Sequence, residues 1–247
     1  MDRHLIFLDI DGTLYNNGTV SDKDLNTLRE ARKAGNMVFI NTGRSYGYIP
    51  EEVKNLPIDG FVCGLGTYVR YEDSVLRSSA LEKKIVKGVA DYALSKGIKT
   101  LFECENGIIS INCESENELK NADEIYTKYE SSRISKCTFF GTLSEDTREF
   151  LNQYFTVYEY KAYAETVKKG YSKSKGMKVL GEFFKVPPER MMAIGDSASD
   201  EDMISYAGIG VAMGNADIRL KKQAEYITAP VTESGVSAAI EKYIFGK

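Results

Sequence analysis

The chain has 247 residues, 43% of them hydrophobic, enough for one good core or two modest domains. Its 36 acidic and 32 basic residues give a formal net charge of -4 with no long basic stripe, which excludes the phosphate-neutralising surface of a nucleic-acid binder and favours a metabolite-sized partner. Four cysteines without a CxxC pair, no membrane-length apolar run and no signal peptide predict free thiols in a reducing cytoplasm and no membrane association.

The lone histidine, His4, opens the first predicted strand, so Ser-His-Asp, Cys-His and histidine-rich zinc chemistries are excluded by inventory. Carboxylates, lysine, hydroxyls and backbone amides are what remain.

"HLIFLDI" reads as a buried strand, "SDKDLNTLREARKAG" as a helix with Ser21 as N-cap and Gly35 at its end, and "MVFINTGR" as the next strand. This is a βαβ opening. "TYVRYEDSVLRSSA" then reads as a hairpin, followed by a helix (82–96), the strands "TLFEC" and "GIISINC", and a helix within 115–130. After these come the strand "KCTFFG", a helix (144–151) and the strands "FTVYEY" and "AYAETV". From 174 the alternation returns: an amphipathic helix (174–186), the strand "RMMAIGD", a helix (200–206), "GIGVAM", a helix (216–223), "AEYIT" and a last helix (233–245). The pattern predicts a Rossmann-like, doubly wound α/β core of parallel strands formed by 1–80 and 172–247, with 81–171 inserted as an α+β cap domain.

Ligands of an open parallel sheet bind outside the carboxyl ends of its strands. Four short motifs fall there: Asp9-Ile10-Asp11-Gly12-Thr13, Thr42-Gly43-Arg44, Ser172-Lys173, and Gly195-Asp196-Ser197-Ala198-Ser199-Asp200. Singly, each has a plain structural explanation. DxDG is a turn, TGR a loop, and GDSASD an N-cap with acids in a first helical turn. Together they place three acids at the ends of two buried strands, where each close pair repels by roughly 1 to 4 kcal/mol unless a cation intervenes. Oxygen donors without histidine point to Mg²⁺, which takes one or two carboxylates, several waters and a phosphate oxygen.

"DIDGT", "TGR", "SK" and "GDSASD", in that order, together with the tail "GVAMGNAD…AEYIT…ESGV", make the chain resemble the haloacid dehalogenase-like phosphatases of the Cof type, whose α/β cap (C2, type IIB) is inserted after the third core strand. The resemblance covers both core segments; the cap matches only in position and α/β character. It implies a phosphatase for a small phosphorylated metabolite, such as a sugar phosphate or phosphorylated cofactor, with no obligate protein partner. Asp9 would be the nucleophile that forms an aspartyl-phosphate, and Asp11 the acid and base. Asp9, Asp196 and the Asp11 carbonyl would hold Mg²⁺, with Asp200 in support. Thr42 and Lys173 would bind phosphoryl oxygens, Gly12 and Thr13 would offer backbone amides, and Gly43 and Arg44 complete the TGR motif.

Two positions depart from the family pattern. Ser199 stands where Asn is usual, keeping a hydroxyl, and Leu65, in "VCGLGT", stands where Asn precedes Gly. Asn215 matches the family, although a turn or helix cap explains it equally well. A phosphosugar mutase of the same superfamily, a phospho-accepting receiver domain and a silent phosphometabolite binder remain alternatives at this level. Tyr126, Tyr129, Arg133, Phe139 and Phe140 are cap residues that could face a substrate or form cap core and surface.

Overall fold

Leu5–Leu8, four apolar residues with no exposed side chain, become the central strand of a sheet whose two faces are both covered. The structure, a computed structural model, describes residues 3–114, 118–119, 121–125 and 133–247. Its strands are β1 (Leu5–Leu8), β2 (Met37–Asn41), β3 (Gly60–Cys63), β4 (Tyr68–Tyr71), β5 (Ser74–Ser78), β6 (Thr100–Cys104), β7 (Gly107–Ile111), β8 (Glu118–Leu119), β9 (Ile134–Phe140), β10 (Phe155–Glu159), β11 (Tyr163–Lys168), β12 (Met191–Gly195), β13 (Ile209–Ala212) and β14 (Tyr226–Ile227). The chain divides into two compact units, one of Met1–Thr42, Pro50–Arg77 and Ser172–Lys247, the other of Gly43–Ile49 and Ser78–Tyr171.

The first unit carries an eight-stranded sheet in the order β14-β13-β12-β1-β2-β3-β4-β5. From β14 to β3 every pairing is parallel, with Leu5 opposite both Met37 and Met191, and β4 returns antiparallel against β3. The predicted doubly wound core is therefore present, edged by the predicted hairpin. Phe7 stacks on Phe39 at 5.4 Å, and Phe184, at the end of the helix Lys173–Phe184, lies 6.1 Å from Phe39. That helix begins one residue before its predicted start and ends where Lys185 turns left-handed.

Ser21 caps the helix Asp22–Lys33 by accepting from the Asp24 N–H, as the capping signal predicts. Buried Asp24 then accepts from the backbone N–H and the hydroxyl of Ser237, joining this helix to the first turn of Gly235–Tyr243. A carboxylate bonded to free N–H groups at a helix start is satisfied without a cation.

The second unit is a six-stranded sheet, β10-β11-β9-β6-β7-β8, antiparallel except between β7 and β8. The helices Lys83–Lys96 and Glu145–Asn152 supply Val86, Val89, Ala90, Ala93 and Leu151 to a core shared with Phe102, Cys137, Phe139 and Ala164. Phe139 is thus core, whereas Phe140 and Arg133 are exposed. The helix predicted within 115–130 falls largely outside the described residues, as do Tyr126 and Tyr129. Residues 43–49, which no periodicity separates from the flanking core sequence, pack with this unit. No helix among the described residues is long and apolar enough to cross a membrane.

Candidate active site

β1 hands over to Asp9, whose N–H still donates to the Ile194 carbonyl at 3.1 Å and so continues the sheet for one residue. The chain then turns sharply: Ile10 O accepts from Thr13, Leu14 and Tyr15, and Gly12 takes a φ of +76°. A Cβ on Gly12 would lie 2.3 Å from Asp196 Oδ2, so glycine is required both for the dihedral and for the close approach. Thr13 Oγ1 donates to Asp196 Oδ1 at 3.2 Å, and Asn215 ties Gly12 O to the Val231 N–H, each bond at 2.8 Å. Asn215 is therefore a loop latch. The amides of Gly12 and Thr13 donate inside the turn at 3.3 Å, the long end of the range.

After β12 the chain folds back around Asp200. Its Oδ2 accepts from the N–H groups of Asp196 (3.0 Å) and Ser197 (2.9 Å) and from the Ser197 hydroxyl, while Oδ1 accepts from Lys173 Nζ at 2.5 Å. A Cβ on Gly195 would meet Asp200 Cγ at 2.4 Å, which explains the glycine at the strand end. Ser199 is buried, its hydroxyl 3.1 Å from that of Ser197.

Lys173 is the first residue of its helix, behind Ser172 as N-cap, and its ammonium also lies 2.9 Å from Asp9 Oδ1. The side chain is wholly buried in line with Met177 and Leu180; Lys175 is exposed. Extrapolation of the apolar stripe in the sequence to Lys173 places it correctly.

Carboxylate oxygens of Asp9, Asp196 and Asp200 lie within 4.8 Å of one another. Asp11 is exposed beside them in sequence, its side chain outside that group. Thr42 is buried at the end of β2, with its N–H on Val62 O and its carbonyl accepting from Leu65 N–H. Gly43 and Arg44 belong to the second unit, where the Arg44 guanidinium donates to Tyr48 O and sits over its ring at 5.2 Å.

Leu65 adopts a φ of +55° between Gly64 and Gly66, which are also left-handed. Asn adopts that conformation more readily than leucine does, so the departure from Asn places a strained, fully buried apolar residue there.

Two supporting residues escaped the sequence pattern. Asp202 Oδ2 accepts from the free Ser174 N–H at 2.9 Å, capping the Lys173 helix from the neighbouring one, and buried Asn41 donates to Lys173 O at 3.4 Å. The acid run Asp200-Glu201-Asp202 was the available signal for the first. None existed for the second.

Burial pushes the Asp9 carboxyl well above the ordinary carboxylate value; Lys173 opposes this, and Asp200 and Asp196 add to it. Burial, with Asp200 close by, likewise pushes Asp196 up to about 7 against the pull of Lys173 and the Thr13 hydrogen bond. Burial disfavours the Lys173 charge as well, but Asp200 and Asp9 outweigh it and hold its pKa above the usual lysine value. Three carboxylates thus face one ammonium.

A family model for haloacid dehalogenase-like hydrolases matches residues 6–240. The 5-amino-6-(5-phospho-D-ribitylamino)uracil phosphatase YitU of Bacillus subtilis is 27% identical over 281 residues, covering 97% of each chain. YcsE of the same organism, which carries the same enzyme name, is 28% identical over 251 residues, 99% of this chain and 97% of its own. The solved structure of the HAD subclass IIB sugar phosphatase BT4131 gives a TM-score of 0.85 at 28% identity, covering 98% of this chain and 99% of that one. Motif order, the acid-lysine centre at the strand ends and matches running nearly end to end agree that the chain belongs to the haloacid dehalogenase-like hydrolases and is a phosphatase of that family.

Proposed function

We propose that the chain is a Mg²⁺-dependent phosphomonoesterase for a small phosphorylated metabolite, working through an aspartyl-phosphate on Asp9. One observation carries this reading: buried Lys173 bridges Asp9 and Asp200 while Asp196 stands within reach, a surplus of negative oxygen donors in a desolvated pocket. Such a set, without histidine or thiol, fits a hard divalent ion. Asp9, Asp196 and the Asp11 carbonyl would hold it, with Asp200 fixing the loop; the ion would offset charge on the transferring phosphoryl group.

The chain's own residues do the remaining work. Asp9 attacks phosphorus as the bond to the leaving oxygen breaks, and Asp11, exposed and two residues on, donates a proton to that oxygen. The same carboxylate then takes a proton from the water that cleaves the acyl phosphate. Lys173 and the Thr42 hydroxyl hold phosphoryl oxygens; the Gly12 and Thr13 amides, whose turn bonds are long, can exchange them for the anion. Ser199, buried beside Ser197, adds a hydroxyl on the phosphate side, and Asn215 keeps the Gly12 turn closed. The names of YitU, YcsE and BT4131 support a polyhydroxylated substrate, such as a sugar or sugar-alcohol phosphate, with the second unit setting specificity.

Steady phosphate release from p-nitrophenyl phosphate, abolished by EDTA and restored by Mg²⁺, is the expected result, and a panel of phosphorylated metabolites then ranks substrates. Activity that survives chelation, or no release from any phosphomonoester, would refute the reading.

A pH effect follows from the raised carboxyls. Their folded-state pKa values lie above the unfolded ones, so the metal-free protein binds extra protons when folded and loses that stability as pH rises through about 7, where Asp196 titrates. In EDTA the melting temperature should therefore be lower at pH 8 than at pH 6. Mg²⁺, replacing the proton among the acids, should raise it more at pH 8. Equal Mg²⁺ shifts at both pH values, by scanning calorimetry, would count against the site.

A further inference from the structure

The second unit contains a charged cluster that the chemistry above does not use. Glu103, Lys136 and Glu165 stand on the adjacent strands β6, β9 and β11. Their neighbours Phe102, Cys137 and Ala164 point into the helix-side core, so strand alternation would give the three charges to water. They are buried instead: the side chains of Lys136 and Glu103 are 0% and 2% exposed and that of Glu165 15%. The segment Gly43–Ile49 lies against them. Lys136 Nζ donates to Gly43 O at 2.8 Å and to Glu165 Oε1 at 2.6 Å, and is 3.3 Å from Glu103 Oε1. Glu103 in turn accepts from the Ser45 N–H at 3.1 Å and the Thr138 hydroxyl at 2.7 Å. A Cβ on Gly43 would sit 2.9 Å from Glu165 Oε2, so a side chain there would have to displace the carboxylate that holds Lys136.

Burial disfavours the Lys136 charge, but Glu103 and Glu165 outweigh it and hold the pKa at about 12, so the ammonium stays charged at any working pH. Desolvating ions so completely offsets most of their attraction, which makes such a cluster a poor source of stability but a good way to fix one atom in place. The atom fixed here is the carbonyl oxygen of Gly43, the residue directly after Thr42. Thr42 is itself held through its N–H by the Val62 carbonyl and through its own carbonyl by the Leu65 N–H.

We propose that Lys136 is a positioning residue for the phosphatase reaction: by anchoring Gly43 it fixes, along the chain, the Thr42 hydroxyl that grips the transferring phosphoryl group. This rests on the function proposed above. Lys136 itself touches no substrate.

Lys136→Met should lower kcat/KM about tenfold or more, mostly in kcat, because a loosened grip is felt at the transition state. Lys136→Arg, which keeps the charge, should recover part of the loss. In a Thr42→Val background the same Lys136→Met change should alter kcat/KM by no more than about twofold, since the two residues act as one unit. If Lys136→Met does not fold, Lys136→Met/Glu165→Gln removes the ammonium together with one carboxylate and is measured in both backgrounds. An equal loss with and without the Thr42 hydroxyl marks a merely structural role and overturns the proposal, as does a Lys136→Met enzyme with wild-type kcat/KM. A wild-type protein inert toward every phosphomonoester overturns the phosphatase reading and this proposal with it; an active wild type with equal losses overturns this proposal alone.

Discussion

Asp9→Asn is expected to lower turnover roughly 10⁴-fold or more while leaving the melting temperature unchanged or raised. The amide matches the carboxylate in size but cannot attack phosphorus. Structurally the change is mild, because Lys173 keeps its closer partner, Asp200, at 2.5 Å. It also removes one of three acids crowded within 4.8 Å, so the metal-free fold loses a repulsion. Initial rates of phosphate release and a thermal melt on the same preparation check both halves. More than about 1% of wild-type turnover would exclude Asp9 as the nucleophile.

Lys173→Ala carries the second large effect, and here activity and stability should fall together. Its ammonium is the cation that Asp9 and Asp200 share, and removing one partner of a buried pair leaves uncompensated charge, costing about 3 to 5 kcal/mol of stability. The loss of a charge-assisted contact to the phosphoryl group should lower kcat/KM by about 2 kcal/mol or more, roughly thirtyfold. Mg²⁺ and low pH should each recover part of the stability, since both reduce the surplus of negative charge. Lys175→Ala is the control: exposed, its side chain should affect neither quantity measurably. Denaturant titrations and kinetics on the pair separate the two lysines, and a reversed order would mean that the SK motif has been read two residues out of place.

The parts of this molecule that were legible in the sequence are those fixed by short-range pattern. Buried apolar runs ending in Asp9 and Gly195, the cap at Ser21 and the stripe through Met177 and Leu180 each depend on residues within one or two turns. From them the parallel core and the inward course of Lys173 could be derived. What was not legible depends on partners far along the chain. Alternation on β9 gives Lys136 to solvent, and nothing local announces that a segment 93 residues earlier will bury it. Asp202 resembles any acid in a first helical turn until the Ser174 N–H arrives beside it. Leu65 stands out in the sequence only by replacing the family's Asn, because a left-handed dihedral leaves no mark on leucine itself.

The position of β1 between β2 and β12 bears on the order in which the protein can be made. One neighbour is synthesised some thirty residues after it and the other only when Met191–Gly195 leaves the ribosome. Every strand of the second sheet, β6 to β11, has been translated before then, so that sheet can complete its pairing first. Until β12 arrives, the edge of β1 that it will cover stays open, a fully apolar strand with free N–H and C=O groups. The bond between Asp24 and Ser237 comes later still, across 213 residues. The unit whose synthesis begins first is therefore the last to close, and its most hydrophobic strand is the one left waiting.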